Sequence, residues 1–394
     1  MQRIYMDANA TTPLLPEVLE AMQPYWIAEF GNASSIHQRG QHARAAVDRA
    51  RAQVAALLNC RPAEVVFTSG GTESDNMALF GVLGGVLSGG DRLITTAIEH
   101  HAVLHAAEAL RERGVEVTFL PCTAQGRIEP EALREALARD AELGRKTTLV
   151  SVMLANNETG VVQPVRELAE IAHAAGALFH TDAVQAAGKL TLDVKALGCD
   201  LLSLSGHKMY APQGTGALFV RRNVRLQPMF FGGLHERGRR PGTENVAGIV
   251  GLGKAAELAK RWMEGDGAQR LAALRDRLEQ GILAAVEEAG VNGCGEERVG
   301  NTSNVFFDHV EAEALVIALD LKGLAVSGGS ACQSGATEPS HVLTAMGLSE
   351  ARARASIRLS LSRLTTADEV AAVLAILPAA VARLRELSPA KRLA

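Results

Sequence analysis

Val65-Val66-Phe67-Thr68-Ser69-Gly70-Gly71-Thr72-Glu73-Ser74 sets a short β-branched apolar run directly against a glycine-bearing polar turn. The run has the composition of a buried strand. The turn should open a helix and present free backbone N–H groups to an anion such as phosphate. Outward from it the same alternation repeats to about Val220, with strands expected at 93–96, 115–119, 149–154, 178–180, 201–204 and 217–220. Between them lie amphipathic stretches such as 165–175, where Val165, Leu168, Ala169 and Ala172 recur at helical spacing. Such alternation predicts βαβ units, hence an α/β fold with a mainly parallel sheet flanked by helices. A glycine-rich basic stretch at 231–242 leads into one long helical region, 246–289, a bridge to a second unit. From Asn301 strand-like segments return, and the strict alternation of Ile357-Arg358-Leu359-Ser360-Leu361 predicts a half-buried sheet.

A chain of 394 residues exceeds one compact core, so two domains are expected. The division expected is 14–258 for the large domain, and 1–13 with 259–394 for a smaller α/β domain. With 47% hydrophobic residues and a net charge of −4, nothing favours nucleic acid or an anionic membrane as partner, and a small-molecule ligand is expected. The N-terminal residues lack an apolar signal core, and no apolar run nears the ~20 residues that span a bilayer, which points to a cytoplasmic protein. The five cysteines, Cys60, Cys122, Cys199, Cys294 and Cys332, are odd in number and widely spaced, with no Cys-x-x-Cys pair. They suggest neither a disulfide framework nor a zinc site.

Ligands of open α/β sheets bind beyond the carboxyl ends of the strands. The residues after each expected strand are therefore informative: Ser69 to Ser74, then Glu99-His100-His101, Asn156-Asn157-Glu158, Asp182 with Gln185, and Ser205-Gly206-His207-Lys208. Each taken alone has a plain alternative, as a turn, a helix cap, a core histidine or a solvated lysine. Together they supply the parts that pyridoxal 5'-phosphate (PLP) needs. A lysine amine forms a Schiff base, a carboxylate keeps the pyridine nitrogen protonated, and an anion site takes the phosphate.

The segments Thr68 to Asn76, Glu99-His100-His101-Ala102-Val103, Asn156-Asn157-Glu158-Thr159-Gly160, Thr181-Asp182-Ala183-Val184-Gln185 and Ser205-Gly206-His207-Lys208-Met209-Tyr210 resemble the motifs of the cysteine desulfurases. These enzymes are the nitrogen-fixation and iron–sulfur assembly type within the class-V aminotransferase superfamily. The order and spacing match over essentially the whole chain. The resemblance implies a fold-type-I PLP enzyme in which Lys208 carries the cofactor and moves protons at the substrate's Cα. Asp182 would pair with the pyridine nitrogen, Gln185 would bond the phenolic oxygen, and His100 would stack on the ring and serve as an acid or base. Gly71, Thr72, Ser205 and His207 would hold the phosphate. Asn157 would lie beside ring and substrate carboxylate, and Arg358 would bind that carboxylate. Pro241-Gly242-Thr243 resembles a motif whose threonine reaches the phosphate of a neighbouring subunit, which implies a homodimer.

The nucleophile decides the reaction. Cys332 sits in Ala325-Val326-Ser327-Gly328-Gly329-Ser330-Ala331-Cys332-Gln333-Ser334-Gly335, a run of small residues expected to form an exposed, mobile loop at about 325–338. Cys294 is its rival, but Glu296 and Glu297 beside it disfavour a thiolate. Cys60, Cys122 and Cys199 flank strands or helices and are expected to be packing residues. Gly329-Ser330-Ala331-Cys332 also resembles the family's nucleophile loop. The implied activity converts L-cysteine to L-alanine, leaves a persulfide on Cys332, and passes sulfur to an acceptor or scaffold protein in iron–sulfur cluster assembly. His100 is the candidate base for forming the thiolate. No resident metal is implied, although Cys332 could transiently ligate a transferred iron–sulfur cluster. Gln333 stands where many relatives have Thr, and the ending 389–394 is shorter than the tail with which housekeeping relatives dock their scaffold, so the acceptor stays open. The alternatives are a selenocysteine lyase, another fold-type-I PLP enzyme, or a scaffold protein that retains the fold.

Overall fold

The apolar runs that opened the sequence form the middle layer of the molecule. A computed structural model describes residues 3–84, 91–328 and 338–387. Seven strands make one sheet in the spatial order Val65–Thr68, Gly216–Val220, Leu201–Ser205, Leu178–Asp182, Leu149–Ser151, Arg92–Thr96, Glu116–Leu120. All neighbours pair in parallel except Gly216–Val220, which runs antiparallel to both of its partners. The inner strands are buried along their length apart from the half-buried Leu178, the pattern of a sheet covered on both faces, which is why they read as continuous apolar runs. The strand expected at 149–154 ends at Ser151. Beyond it the chain turns toward the strand ends, while Val152 and Leu154 still donate backbone N–H bonds to the His180 and Asp182 carbonyls.

The helical region expected at 246–289 is two helices, Val246–Glu264 and Gly267–Ala285, broken at Gly265. The first packs against helix Gln38–Leu58 through small residues. A Cβ on Gly253 would stand 2.6 Å from the Ala50 Cα, so the backbones meet closely. The second helix belongs to a separate core of Ile4, Met6, Leu271, Leu278, Phe307, Leu315, Ile357, Leu359, Val373 and their neighbours. That core packs on a four-stranded antiparallel sheet ordered Ser327–Gly328, Ser356–Ser360, Thr302–Phe307, Ala289–Val291. The expectation of a half-buried sheet at 357–361 is overturned: all of Ser356–Ser360 is buried. Ile357 and Leu359 enter this core, while Arg358 is buried on the opposite face against the N-terminal segment. The N-terminal segment itself crosses between the two cores. Ile4–Tyr5 pairs with Leu324–Ala325, and Asp7 bridges to Ser360. No helix among the described residues is long and apolar enough to cross a membrane.

Candidate active site

At the carboxyl ends of the parallel strands lies a cavity of about 650 Å³, within the range of small-molecule sites. Gly71, Thr72, His100, Asn157, Asp182, Gln185, Ser205, His207, Lys208 and Arg358 all line it. Thr243 does not: it is exposed, between Arg240, which is paired with Glu73, and helix Val246–Glu264. Cys332 lies outside the described residues.

Each wall is built by a strand-to-turn transition. Strand Val65–Thr68 leads into Gly70, whose φ of 159° with ψ of −176° is a backbone conformation that favours glycine, and helix Gly71–Leu83 starts at once. Its first turn has no helical acceptors for its N–H groups, which makes that end electropositive. A Cβ on Gly71 would stand 2.8 Å from Val184 Cγ2 and 3.4 Å from Ser205 Cβ, so only glycine keeps this corner open. His100 caps helix His101–Glu112, its Nδ1 accepting the Ala102 N–H at 3.1 Å. In the neutral ring the proton therefore sits on Nε2. Burial first, then the charge of Lys208, pulls this imidazole down to about 4, so it is neutral at pH 7.

Strand Leu178–Asp182 delivers Asp182 into the cavity, where the Val184 N–H donates to Oδ1 at 2.8 Å. Burial pushes the Asp182 carboxyl up to about 6, against the pull of that N–H and of Lys208. Behind it the fully buried Asp75 is also raised well above the usual carboxylate range, by burial and by Asp182. Two such carboxyls favour a cation in the cavity. Strand Leu201–Ser205 and the short turn Gly206–Lys208 place Lys208, whose Nζ donates to the Asn9 and Ala10 carbonyls at 2.6 Å each. His207 Nδ1 lies 3.1 Å from Thr11 Oγ1.

On the remaining side stands Arg358, whose Nη1 donates to the Asn157 carbonyl at 3.0 Å and Nη2 to Asp7 Oδ1 at 2.8 Å. Its Nε and the Asn157 Oδ1 are buried without a hydrogen-bond partner among the described residues. A bound group bearing an acceptor for one and a donor for the other would satisfy both. These residues fit PLP: a lysine, a buried carboxylate for a pyridinium nitrogen, and a helix N-terminus with two hydroxyls and an imidazole for a phosphate.

The N-terminal contribution has no counterpart in the sequence reading. Asn9 is buried and uses every polar atom. Its carbonyl accepts from Lys208 and from Gln185 Nε2, its Oδ1 accepts from Lys189 and Asn301, its Nδ2 donates to the Asn157 carbonyl and Thr302 Oγ1, and its N–H donates to Ser360. The polar run Asp7-Ala8-Asn9-Ala10-Thr11-Thr12 is the available signal, but nothing local links it to strands some 200 residues away. Glu158, in the Asn156-Asn157-Glu158 motif, is buried behind the site and does not line the cavity. It is pushed up to about 7 by burial, and Ser340 Oγ donates to its Oε2 at 2.5 Å. The plain reading of three cysteines holds: Cys199 lies in the core, with Cys60 and Cys122 packed against it. Burial pushes the Cys60 and Cys199 thiols up to about 12 and also raises Cys122. Cys294 is exposed.

Residues 4–373 match the family model described as aminotransferase class-V. The chain is 52% identical over 390 residues to the cysteine desulfurase IscS of Anaeromyxobacter sp. (strain Fw109-5), with 98% of this chain and 94% of that protein covered. It is 47% identical over 386 residues to the cysteine desulfurase IscS of Methanosarcina thermophila, again covering 98% of this chain and 94% of the relative. A solved structure of a NifS-like protein matches with a TM-score of 0.89 at 34% identity, covering 97% of this chain and 100% of that one.

Proposed function

Because the chain belongs to the class-V aminotransferase family and, within it, to the PLP-dependent cysteine desulfurases, we propose that it takes sulfur from L-cysteine, releases L-alanine and holds the sulfur as a persulfide on Cys332. The observation that carries this is the convergence of Lys208, Asp182, the start of helix Gly71–Leu83 and Arg358 on one cavity. Bound PLP supplies an electron sink at the substrate's α-carbon.

The chain's own residues do the rest. Lys208 holds the cofactor and moves the proton at Cα. Asp182 pairs with the pyridine nitrogen, Gln185 bonds the phenolic oxygen, and Gly71, Thr72, Ser205 and His207 hold the phosphate. His100 would lie beside the cofactor ring, and its Nε2–H would suit it to donate to the substrate. Arg358 offers a guanidinium fork to the substrate carboxylate beside Asn157. The Cys332 thiolate then attacks the substrate sulfur: the Cβ–S bond breaks, an S–S bond forms, and the electron pair left at Cβ is protonated to give alanine. Among the described residues, Ser327, which precedes the Cys332 stretch, pairs with the cavity-lining Arg358.

We read 14–258 as the cofactor-binding domain and 1–13 with 259–394 as the smaller one, with Thr243 completing the phosphate site of a second copy in a homodimer. The acceptor is a sulfur-carrying or iron–sulfur scaffold protein, and the cytoplasm suits five cysteines with no disulfide pattern. The test is alanine and persulfide formation from L-cysteine. Wild type should yield both in equal amounts, and Cys332→Ala neither. Undiminished sulfide transfer by Cys332→Ala would sink the nucleophile assignment.

A further inference from the structure

The Gln185 side chain is buried on the cavity wall, and both ends of its amide are held. Its Nε2 donates to the Asn9 carbonyl at 3.0 Å, and its Oε1 accepts from Lys189 Nζ at 2.6 Å. An amide turned end for end would set N–H groups against the Lys189 donor and an oxygen against the Asn9 carbonyl, so the two contacts select one orientation. Lys189 is itself anchored, its Nζ donating to Asn9 Oδ1 at 3.0 Å. That oxygen faces Lys189 because Asn9 Nδ2 is committed to the Asn157 carbonyl and Thr302 Oγ1. The orientation of Gln185 thus follows from a chain of fixed hydrogen bonds that begins at Thr302 on the second sheet and at the Asn157 carbonyl.

Lys189 is not among the residues lining the main cavity; it borders a separate void of about 20 Å³ with Lys208, Met209 and Asn301. Burial first, then the charges of Lys208 and Arg358, pushes its ammonium well below the usual lysine range. A methionine of similar length would pack there without that cost, so the lysine needs a reason beyond packing.

We propose that Lys189 is a positioning residue that holds the Gln185 amide with its nitrogen, the donor end, turned to the cavity. This rests on the proposed function, in which Gln185 bonds the phenolic oxygen of PLP. An oxygen carrying negative charge there is stabilised by an N–H donor and opposed by an amide oxygen. Lys189 acts through Gln185 and touches no reacting atom.

The test is the visible absorption of the PLP-loaded full chain titrated with pH in wild type, Lys189→Met, Gln185→Ala and the double variant. Each single variant should raise the apparent pKa of the band by about one unit, a tenfold change in the equilibrium. The double variant should go no further than Gln185→Ala alone. An unshifted Lys189→Met beside a shifted Gln185→Ala overturns the proposal, as does an additive shift in the double. An unshifted Gln185→Ala instead overturns the contact between Gln185 and the cofactor oxygen. Should Lys189→Met not fold, Lys189→Gln carries the same test. A side-chain amide at 189 offers a donor and an acceptor, so it accepts Gln185 either way round. A rise of about half a unit or more is then expected, and no rise overturns the proposal.

Discussion

Arg358 Nη2 lies 2.8 Å from Asp7 Oδ1, an ion pair between a buried guanidinium and a carboxylate 351 positions earlier in the chain. Together with the bond from Nη1 to the Asn157 carbonyl, it clamps the central region of the second sheet against the N-terminal segment and the cavity floor. A charge so placed is held ready for an anion, because its position is set before the substrate arrives.

Replacing Arg358 should therefore act on substrate capture. Arg358→Ala is expected to lower kcat/KM for L-cysteine by about a hundredfold, the scale of ~3 kcal/mol for truncating one partner of a desolvated charge pair. Most of the loss should appear in KM. Arg358→Lys should recover only part of it, since an ammonium cannot present the planar fork. Steady-state kinetics with both variants checks this, and an unchanged KM would move the carboxylate site elsewhere.

Gly71 makes a sharper prediction because its backbone conformation admits any residue and only space forbids one. Gly71→Ala sets a methyl 2.8 Å from Val184 Cγ2 and 3.4 Å from Ser205 Cβ, at the mouth of the helix N-terminus. The chain should fold, and its dissociation constant for PLP, read by fluorescence titration of the cofactor-free protein, should rise by about tenfold or more. Equal affinity in mutant and wild type would remove the phosphate from this corner.

Lys208→Ala should leave the fold intact and abolish the visible band of covalently held PLP. Turnover of L-cysteine should fall by about a thousandfold or more, because one residue both holds the cofactor and carries the proton. Absorption spectra and alanine release measure the two effects separately. Retention of the band would show that another amine carries the cofactor.

Two buried carboxyls set an alkaline limit on stability. Burial pushes Glu158 up to about 7 and Glu99 up to about 8. Each is raised above its unfolded value, so the folded chain holds a proton that the unfolded chain has released. The stability tied to it is complete below the unfolded value of 4.5 and is lost as pH rises through 7 and 8 respectively. His100 and His207, depressed to about 4, act with the opposite sign and only below the ordinary value of 6.5. Between pH 6.5 and 8 these carboxyls should therefore lower the melting temperature of the cofactor-free chain, against a rise contributed by the depressed ammonium of Lys189. Glu158→Gln should remove its part of that fall below about pH 7, and Glu99→Gln should flatten the fall throughout, up to about pH 8. A Glu99→Gln profile that runs parallel to wild type between pH 6.5 and 8 would contradict the burial of Glu99, because the opposing rise from Lys189 is common to both chains.

Much of the site was legible because each element announces its own end. A run such as Val65-Val66-Phe67 followed by Ser69-Gly70-Gly71-Thr72 names both the strand and the turn, and a parallel sheet must bring all such turns to one edge. Arg358 was harder. Its alternating strand reads as half-exposed, and only the N-terminal segment and the Asn157 loop packed over the polar face bury it. Asn9 and Lys189 carried no usable local signal. Lys189 lies four residues from Gln185, but Asn9, which anchors both, bonds Lys189, Lys208, Asn301 and Thr302 from far along the chain, and those distances hide the cluster.

The sequence by itself determined the layered α/β architecture, the strand-end positions of Lys208, Asp182, His100 and the Gly70-Gly71 turn, and the family to which they belong. Hydrophobic periodicity and turn chemistry are local properties, so they can be read locally. Only the tertiary structure decided that Asn9 receives Lys208 and Gln185, that Arg358 is clamped by Asp7 and Asn157, and that Lys189 selects the orientation of an amide. Those are matters of which buried donor meets which acceptor. That pairing is fixed when segments far apart in the chain are packed together and excluded from water.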